Sequence, residues 1–311
     1  MLRICFFNHF HNGDVVANRE FLRWAAAVWP NTCCYTHVKH AKLLADLPMD
    51  YIAMPELLKT PRQEYHKIFQ IDDTIYVNTW IGCYMAWASL DDVIVTDPVI
   101  GLNWIVYHKM WEHIVDKLNL ILQTSVVLPS NITDFINNPP FEFYTDAQFL
   151  ASKLDLNTTS ILLSNGPALS GQSLQNHNME SWVAPLVAKF PQVQWIFTHN
   201  TSIQGPNVFF TNDIFDNCGC DLNHIAELSR YCKIIIGRNS GPFLFCNTKN
   251  NLFDAKKTFI ATGRVRGDCF PAGLPLNCDY YWFCDQDDHK TQEFINEIIC
   301  NKLYFQEACQ D

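Results

Sequence analysis

The stretch "RICFFNHFHNGDVVANREFLRWAAAVWP", residues 3–30, contains the pattern that decides the fold. The run at 3–8 is short and apolar and ends at Asn8, which is typical of a strand buried in a parallel sheet. Apolar residues then recur at helical spacing, and Pro30 stands where a helix should end. The stretch therefore predicts a strand, a polar loop and a helix, which form the first unit of an α/β domain.

The helix predicted within this stretch has one apolar face, which includes Phe21 and Ala25. Arg19, Glu20 and Arg23 lie off this face. We expect the apolar residues to pack on the sheet and the three charged residues to point away from it.

The same alternation of strands and helices continues along the chain. In the first half we predict strands at 32–37, 74–80 and 125–129 and a helix at 104–120. In the second half we predict strands at 160–165, 193–199, 207–212, 233–237 and 258–262 and helices at 180–190, 221–232 and 289–303. The fold class is therefore α/β, with two Rossmann-like domains that have mostly parallel sheets. Turn residues and adjacent prolines place the boundary near 145–158, so we divide the chain into 1–150 and 151–311.

The composition indicates a folded protein with sizeable cores, since 48% of the 311 residues are apolar and 17% are charged. A net charge of −10 without a basic run argues against nucleic acid as a partner. The apolar run at the N-terminus is too short for a signal peptide, and no window is long enough to cross a bilayer. The thirteen cysteines lack Cys-x-x-Cys pairs and the spacing of a disulfide scaffold, so we expect mostly reduced, buried thiols. Together these features predict a cytoplasmic protein.

Four polar loops follow predicted strands, at 8–14, 78–82, 165–176 and 237–242. In parallel α/β sheets, ligands bind outside the carboxyl ends of the strands. These loops are therefore the candidates for the functional site.

The loop "GRNSGP" at 237–242 follows an apolar strand and precedes the start of a helix. Gly241 lets the backbone approach a ligand closely, and Ser240 can donate a hydrogen bond or cap the helix. Arg238 would add a charge-assisted contact to a phosphate. The alternative is that Ser240 is an ordinary helix cap beside a turn glycine.

A second polar loop with glycine begins at Asn165 and Gly166 on the same predicted sheet. Two such loops at one sheet edge predict a nucleotide pocket, with phosphates held by helix N-termini, Ser and Arg. Neither loop has the glycine spacing of a Walker A or dinucleotide-binding motif, which disfavours a kinase, an ATPase or a dehydrogenase. The candidate residues of this pocket are Asn165, Gly166, Arg238, Asn239, Ser240, Gly241 and Pro242.

In the opening loop, Asp14 stands at the start of a helix, where a carboxylate can cap free N–H groups. The functional alternative makes Asp14 a general base, with His11 as the rival because imidazole titrates near neutral pH. Gly13 would permit the tight turn that directs either side chain. His9 and His11 could also be two metal ligands, but no third ligand is identifiable, so we predict no metal.

The loop "NTWIGCY" at 78–84 offers Asn78 and Trp80. An indole and an amide suit stacking on a sugar ring and hydrogen bonding to it. The alternative is a buried Trp that packs on the sheet.

These motifs resemble those of GT-B glycosyltransferases, most nearly the heptosyltransferase family, which is glycosyltransferase family 9-like. That family has a Gly-Asp-Val loop between its first strand and helix, as Gly13-Asp14-Val15 stands here. It also has an Asn-Asp-Ser/Thr-Gly-Pro loop after an apolar strand of the second domain, which is matched here at Ser240-Gly241-Pro242. Two features depart from the family: Asn239 replaces the aspartate, and 165–176 contains no lysine.

The resemblance implies two domains that face a cleft. Residues 1–150 would bind the acceptor and 151–311 the nucleotide-sugar donor, with the helix at 289–303 crossing back to the first domain. The implied acceptor-binding residues are His9, Asn12, Gly13, Asn78 and Trp80, and the pocket residues given above become donor-binding residues.

The implied reaction is an inverting, metal-independent transfer of a sugar from a nucleoside diphosphate to a glycan or another hydroxyl acceptor. Asp14 is the family's base, and His11 remains its rival here. No cofactor is expected, and a lipid-linked acceptor would bring the protein to the inner face of a membrane. The alternatives are a GT-B-fold nucleotide-sugar epimerase and a non-catalytic nucleotide- or sugar-binding protein.

Overall fold

The computed structural model describes residues 2–8, 12–30, 32–37, 41–52, 66–85, 93–94, 104–140, 143–167, 178–216, 221–238, 241–262, 274–283 and 287–305.

The first half of the chain forms a sheet with the strand order β3-β2-β1-β5-β4. Its strands are β1 (Arg3–Asn8), β2 (Cys33–His37), β3 (Asp50–Tyr51), β4 (Ile68–Ile71) and β5 (Thr74–Asn78). Neighbouring strands are parallel except β4 and β5, which are antiparallel. Because β1 lies at the centre and is buried from Ile4 onward, its sequence is an almost unbroken apolar run.

The helices described in this half are α1 (Asn12–Ala17), α2 (Arg19–Val28), α3 (Trp104–Leu122) and α4 (Ala147–Lys153). Short 3-10 turns lie at Ala41–Leu44, Ile81–Tyr84 and Ile132–Phe135. The helix predicted after β1 and the one predicted at 104–120 are therefore confirmed, the first of them divided at Asn18.

The second half forms a fully parallel sheet with the strand order β11-β10-β9-β6-β7-β8. Its strands are β6 (Ser160–Ser164), β7 (Gln194–Phe197), β8 (Val208–Phe210), β9 (Ile234–Arg238), β10 (Thr258–Thr262) and β11 (Asp279–Phe283). The helices described here are α5 (Glu180–Lys189), α6 (Thr211–Ile214), α7 (Leu222–Leu228), α8 (Gly241–Phe245), α9 (Lys249–Leu252) and α10 (Asp288–Cys300). A 3-10 turn follows α7 at Ser229–Tyr231, and a π-helical turn follows α10 at Asn301–Phe305. The prediction of two α/β units with mostly parallel sheets is confirmed.

The strand predicted at 125–129 is wrong. These residues pair with none of the described strands, and Val127 is 82% exposed. The side chain of Asn119 donates to the carbonyl oxygen of Val126 at 2.8 Å and accepts from its N–H at 3.0 Å. One local amide thus satisfies backbone groups that a neighbouring strand would otherwise bind.

The last helix does not cross to the first half over its described residues, as the family resemblance implied. Instead α10 packs against α5, where Lys189 Nζ donates to Asn296 Oδ1 at 2.6 Å. Ile295 and Ile299 belong to the hydrophobic cluster that α5 forms with one face of the second sheet. The apolar side of α10 is therefore buried within its own half.

Arg19 and Glu20 are buried, whereas the sequence pattern placed them away from the core. Arg19 forms an ion pair with Asp46, and it also donates to Asn223 Oδ1 on α7. Arg19 on α2 thus binds residues of both halves of the chain. The largest hydrophobic cluster likewise contains residues of both halves, among them Phe21 and Phe243.

Gly237 allows a close approach between β9, β6 and α8. A Cβ at this position would lie 2.7 Å from Ser164 Cβ and 2.7 Å from Cδ2 of Phe243. We expect Gly237→Ala to lower the free energy of unfolding by about 1–3 kcal/mol, because the neighbouring atoms lie in packed elements. Gly241→Ala is the matched control, since a Cβ there meets no atom within 4 Å. Urea unfolding of both variants measures the difference, and equal effects at the two positions would contradict the close approach.

Candidate functional site

Asp14 is buried on α1, just beyond the carboxyl end of β1, and only 2% of it is exposed. The hydroxyl of Tyr107, on α3, donates to Asp14 Oδ1 at 2.9 Å, and the N–H of Ile81 donates to the same oxygen at 3.3 Å. Both of these donors bind Oδ1, and the backbone N–H of Asp14 itself also donates to its carboxylate. Oδ1 is therefore anchored from two other segments of the chain.

Burial raises the pKa of Asp14 to about 6. The hydrogen bonds from Ile81 and Tyr107 favour the charged form and act in the opposite direction, but desolvation is the larger effect. A carboxyl with a pKa near neutrality can both take up and release a proton at physiological pH, which an ordinary exposed aspartate cannot do.

The side chain of Asn18 holds the surroundings of Asp14 in place. Its Nδ2 donates to the carbonyl oxygens of Asp14 and Thr79, at 2.7 and 3.0 Å. The indole of Trp111, one turn along α3 from Tyr107, donates to Asn18 Oδ1 at 2.7 Å. A single buried amide thus connects α1, the loop after β5 and α3.

Asn78 and Trp80 shape the loop that supplies the Ile81 N–H. Asn78 is fully buried, and its Oδ1 accepts from the N–H of Trp80 at 2.9 Å. The Trp80 ring packs so closely on Gly82 that a Cβ there would lie 2.4 Å from it. Acceptor binding by Asn78 and Trp80 stays a prediction, since the structure shows both side chains buried within the loop.

The two halves of the chain meet beside Asp14. Helix α1 packs against α8, and a Cβ on Gly13 would lie 2.7 Å from Leu244 Cδ1. Asn12, the first residue of α1, has a buried Oδ1 that accepts no hydrogen bond within the described part of the chain. The structure therefore brings the start of α1 together with the helix that begins at Gly241 and Pro242.

The predicted donor-side residues begin at neighbouring strand ends. Ser164 pairs with Gly237, so the loop that starts at Asn165 and Gly166 leaves the sheet beside Arg238. Asn165 also connects two loops: its Nδ2 donates to the carbonyl oxygen of His199 at 2.8 Å, and its Oδ1 accepts from the His199 N–H at 2.9 Å.

Arg238 is 5% exposed, and burial lowers the pKa of its guanidinium. Thr262 pairs with Arg238 across β9 and β10, and within the described residues its buried hydroxyl has no hydrogen-bond partner. A buried cation beside an open hydroxyl is an arrangement that suits an anionic ligand. Sequence patterns did not indicate Thr262, because nothing in the sequence shows which polar residue faces the end of a neighbouring strand.

His9, His11, Asn239 and Ser240 lie outside the described residues. The role of His11 as an alternative base therefore stays a prediction.

Over the described ranges no group of three His, Cys, Asp or Glu side chains is arranged to hold a metal ion. Of the helices that the structure describes, none combines the length and the apolar character needed to cross a membrane.

Solved structures of glycosyltransferases and an epimerase are similar to this chain. The E. coli heptosyltransferase WaaC, solved with ADP-2-deoxy-2-fluoro heptose, aligns over 96% of this chain and 100% of its own, at 11% identity and a TM-score of 0.50.

The chain has the GT-B fold.

A glycosyl transferase of family 9 from Veillonella parvula DSM 2008 aligns over 95% of this chain and 91% of its own, at 14% identity and a TM-score of 0.49. A UDP-N-acetylglucosamine 2-epimerase from Listeria monocytogenes, so described provisionally, aligns over 97% and 89%, at 11% identity and a TM-score of 0.48. No protein-family model and no curated protein sequence matches the chain. The similarity therefore establishes the GT-B fold of the chain, and its chemistry has to be argued from the site.

The raised pKa of Asp14 makes its charge costly to the folded state. The folded protein binds the proton of Asp14 more tightly than the unfolded chain does, because the pKa is about 6 in the folded state and 3.8 in the unfolded state. The stability that the neutral carboxyl contributes is therefore fully present below pH 3.8 and is lost as the pH rises through about 6. Asn keeps an oxygen for Tyr107 and Ile81 but carries no charge. We expect Asp14→Asn to raise the free energy of unfolding by on the order of 2–3 kcal/mol above about pH 7 and to change it little below about pH 4.

Asp46 provides a control, because its substitution by Asn is expected to change the stability in the opposite direction. Burial alone would raise its pKa, but Arg19, Tyr144 and Arg23 outweigh burial and hold the pKa below its usual range. Asp46→Asn should therefore destabilise the protein at neutral pH. Chemical denaturation across pH measures both variants, and a loss of stability in Asp14→Asn at neutral pH would show that Asp14 is a structural carboxylate.

Proposed function

We propose that this chain is an inverting glycosyltransferase that moves a sugar from a nucleoside diphosphate to a hydroxyl acceptor. The observation that carries the proposal is the buried Asp14 carboxylate with a raised pKa, at the point where α1 of the first half meets α8 of the second. Its GT-B fold, with two α/β units whose helices α1 and α8 pack together, supports the same proposal. The chain thus combines a base with a neighbouring site for an anionic leaving group.

In the proposed reaction, Asp14 Oδ2 takes the proton of the acceptor hydroxyl. The acceptor oxygen forms a bond to the anomeric carbon from the face opposite the diphosphate, while the bond from that carbon to the diphosphate oxygen breaks. The proton ends on Asp14 and the electron pair on the diphosphate, so the sugar is transferred with inversion at the anomeric carbon.

Tyr107 and the Ile81 N–H have a positioning role in this mechanism. Both donate to Oδ1 of Asp14, so they fix the direction of the carboxylate, and the proposal assigns the proton transfer to Oδ2. Asn12 lies two residues away, and its buried Oδ1 would accept a hydrogen bond from a second hydroxyl of the acceptor. Together with Gly13, these residues form the acceptor side of the proposed site.

The second half supplies the donor side. Arg238 would hold the departing diphosphate through charge-assisted hydrogen bonds, with the Thr262 hydroxyl as a further donor. Asn165, Gly166 and the loop from 239 to 242 would contact the rest of the nucleotide. Since a side-chain cation can stabilise the leaving diphosphate, we propose that the reaction proceeds without a bound metal.

The acceptor would be a glycan or another hydroxyl compound, which includes a lipid-linked one. A lipid-linked acceptor would bring the protein to the cytoplasmic face of a membrane.

The first experiment identifies the donor nucleotide. UDP, GDP, ADP and CMP are each added to the protein, and thermal unfolding is followed. A ligand that binds only the native state must raise its stability, so we expect one nucleotide to raise the melting temperature and Arg238→Gln to weaken that response. If none of the nucleotides changes the melting temperature, the proposed donor site is contradicted.

The second experiment tests Asp14 as the general base, with the nucleotide sugar of the nucleotide that the first experiment identifies as the donor. We expect Asp14→Asn to lower the release of nucleoside diphosphate by about 10²–10⁴-fold, since that is the usual contribution of a general base, and to leave nucleotide affinity within a few-fold. Asp134→Asn, which removes a surface carboxylate, is the control and should retain activity. Unchanged turnover in Asp14→Asn would remove Asp14 from the mechanism, and conversion of the donor sugar without any acceptor would indicate an epimerase instead.

A further inference from the structure

An open pocket of about 390 Å³ lies beside the segment that joins the two halves of the chain. It is lined by residues 143–149 on one side and by residues near Phe215 and His224 on the other. Its volume falls within the range of pockets that bind small molecules, about 300–1,000 Å³. The proposed mechanism uses none of its residues.

Five rings form a continuous wall along this pocket. Phe149 stacks on Phe215 with centroids 6.3 Å apart, and Phe215 contacts His224 at 5.0 Å. His224 meets the edge of Tyr144 at 6.0 Å, and Tyr144 meets Phe143 at 4.9 Å. Phe143 is 55% exposed, so an apolar ring face is available to a ligand.

Polar groups stand among these rings. His224 has a buried Nδ1 without a hydrogen-bond partner within the described part of the chain, and burial lowers the pKa of its ring. Asp146 and Asp216 also line the pocket, and Lys153 lies 3.7 Å from Asp216 and near the Phe149 ring. A neutral imidazole and two carboxylates provide hydrogen-bond acceptors that suit hydroxyl donors.

The charges around the pocket select among ligands. Neither Lys nor Arg is among the described residues that line it, and the nearby Lys153 is paired with Asp216, so the pocket does not suit the phosphates of a nucleotide. An organic cation would find both carboxylates attractive, but Lys153 already pairs with Asp216 and lies over the Phe149 ring. Asp146 is in part committed to its own helix, because its Oδ1 accepts from the Phe149 N–H at 2.6 Å. The remaining surface combines ring faces with the acceptor atoms of Asp146 and His224.

We propose that this pocket binds a neutral pyranose, with the apolar C–H face of the sugar on Phe143 and its hydroxyls hydrogen-bonded to the carboxylates and to His224. The site is separate from Asp14 and Arg238. Its existence does not depend on the proposed glycosyl transfer, since a protein without that activity could bind a sugar here.

The test uses four neutral probes: the methyl glycosides of glucose, galactose, mannose and N-acetylglucosamine. Saturation-transfer NMR on the full chain without nucleotide should detect at least one of them, with a dissociation constant of about 1–10 mM. We expect Phe143→Ala to weaken binding by about fivefold, because a ring contact contributes about 1 kcal/mol. Phe143→Trp should retain binding, since it keeps a ring at this position.

Two further variants place the binding in the pocket. Leu120→Ala removes another exposed apolar side chain, 75% exposed on α3, and should leave binding unchanged. Asp14→Asn should also leave it unchanged, so failure of the proposed transfer reaction and failure of this site can be told apart.

Three results would overturn the proposal. The first is the absence of saturation for all four probes, and the second is equal binding by the unsubstituted protein and Phe143→Ala. The third is binding of tetramethylammonium, sensitive to Phe143→Ala, in place of the sugars, which would show that the pocket recognises a cation.

Discussion

The buried amide of Asn18 holds three segments of the first half together around Asp14. It binds the carbonyl oxygens of Asp14 and Thr79 and accepts from the Trp111 indole, so that α1, the loop after β5 and α3 keep fixed positions. The Ile81 N–H and the Tyr107 hydroxyl come from two of these segments and meet on one oxygen of Asp14. A carboxylate that is held in this way keeps its direction. A backbone N–H in the first turn of α1, that of Asp14 itself, also donates to it, so the capping interpretation and the catalytic one both stay predictions.

Asp14 and Asp46 are both buried in the same half, and their surroundings shift their pKa values in opposite directions. At Asp46 two guanidinium groups and a tyrosine hydroxyl outweigh desolvation, and the ionised form is favoured. At Asp14 the donors within the described residues are all neutral, namely the Tyr107 hydroxyl and the backbone N–H groups of Ile81 and of Asp14 itself, and desolvation prevails. Asp46 thus contributes to the junction between the halves through Arg19, whereas Asp14 lowers stability at neutral pH. A costly buried charge beside a domain junction is what a functional residue commonly shows.

Much of the fold followed from local patterns, because the strands of a parallel sheet are buried along their whole length and their apolar runs are visible in the sequence. β1, β6 and β9 were predicted for this reason. The edge strands β3, β4 and β11 were missed, since they are short or only partly buried and their sequences resemble loops. The burial of Arg19 could not be predicted either, because its partner Asn223 lies more than two hundred residues away in the sequence.

Some residues of the candidate site could likewise be proposed from the sequence, and others could not. Asp14, Gly13 and Arg238 could be predicted as site residues because they stand at or just beyond strand ends, which the sequence reveals. Tyr107, Asn18 and Thr262 were missed, since their roles depend on which neighbour their polar atoms face. The most direct test of the account is the pKa of Asp14 itself, measured by NMR titration of the protein with ¹³C-labelled aspartate side chains and assigned by comparison with Asp14→Asn. We expect a pKa of about 6 for this carboxyl. A value at or below the 3.8 of an ordinary aspartate would contradict it and leave Asp14 as a structural residue.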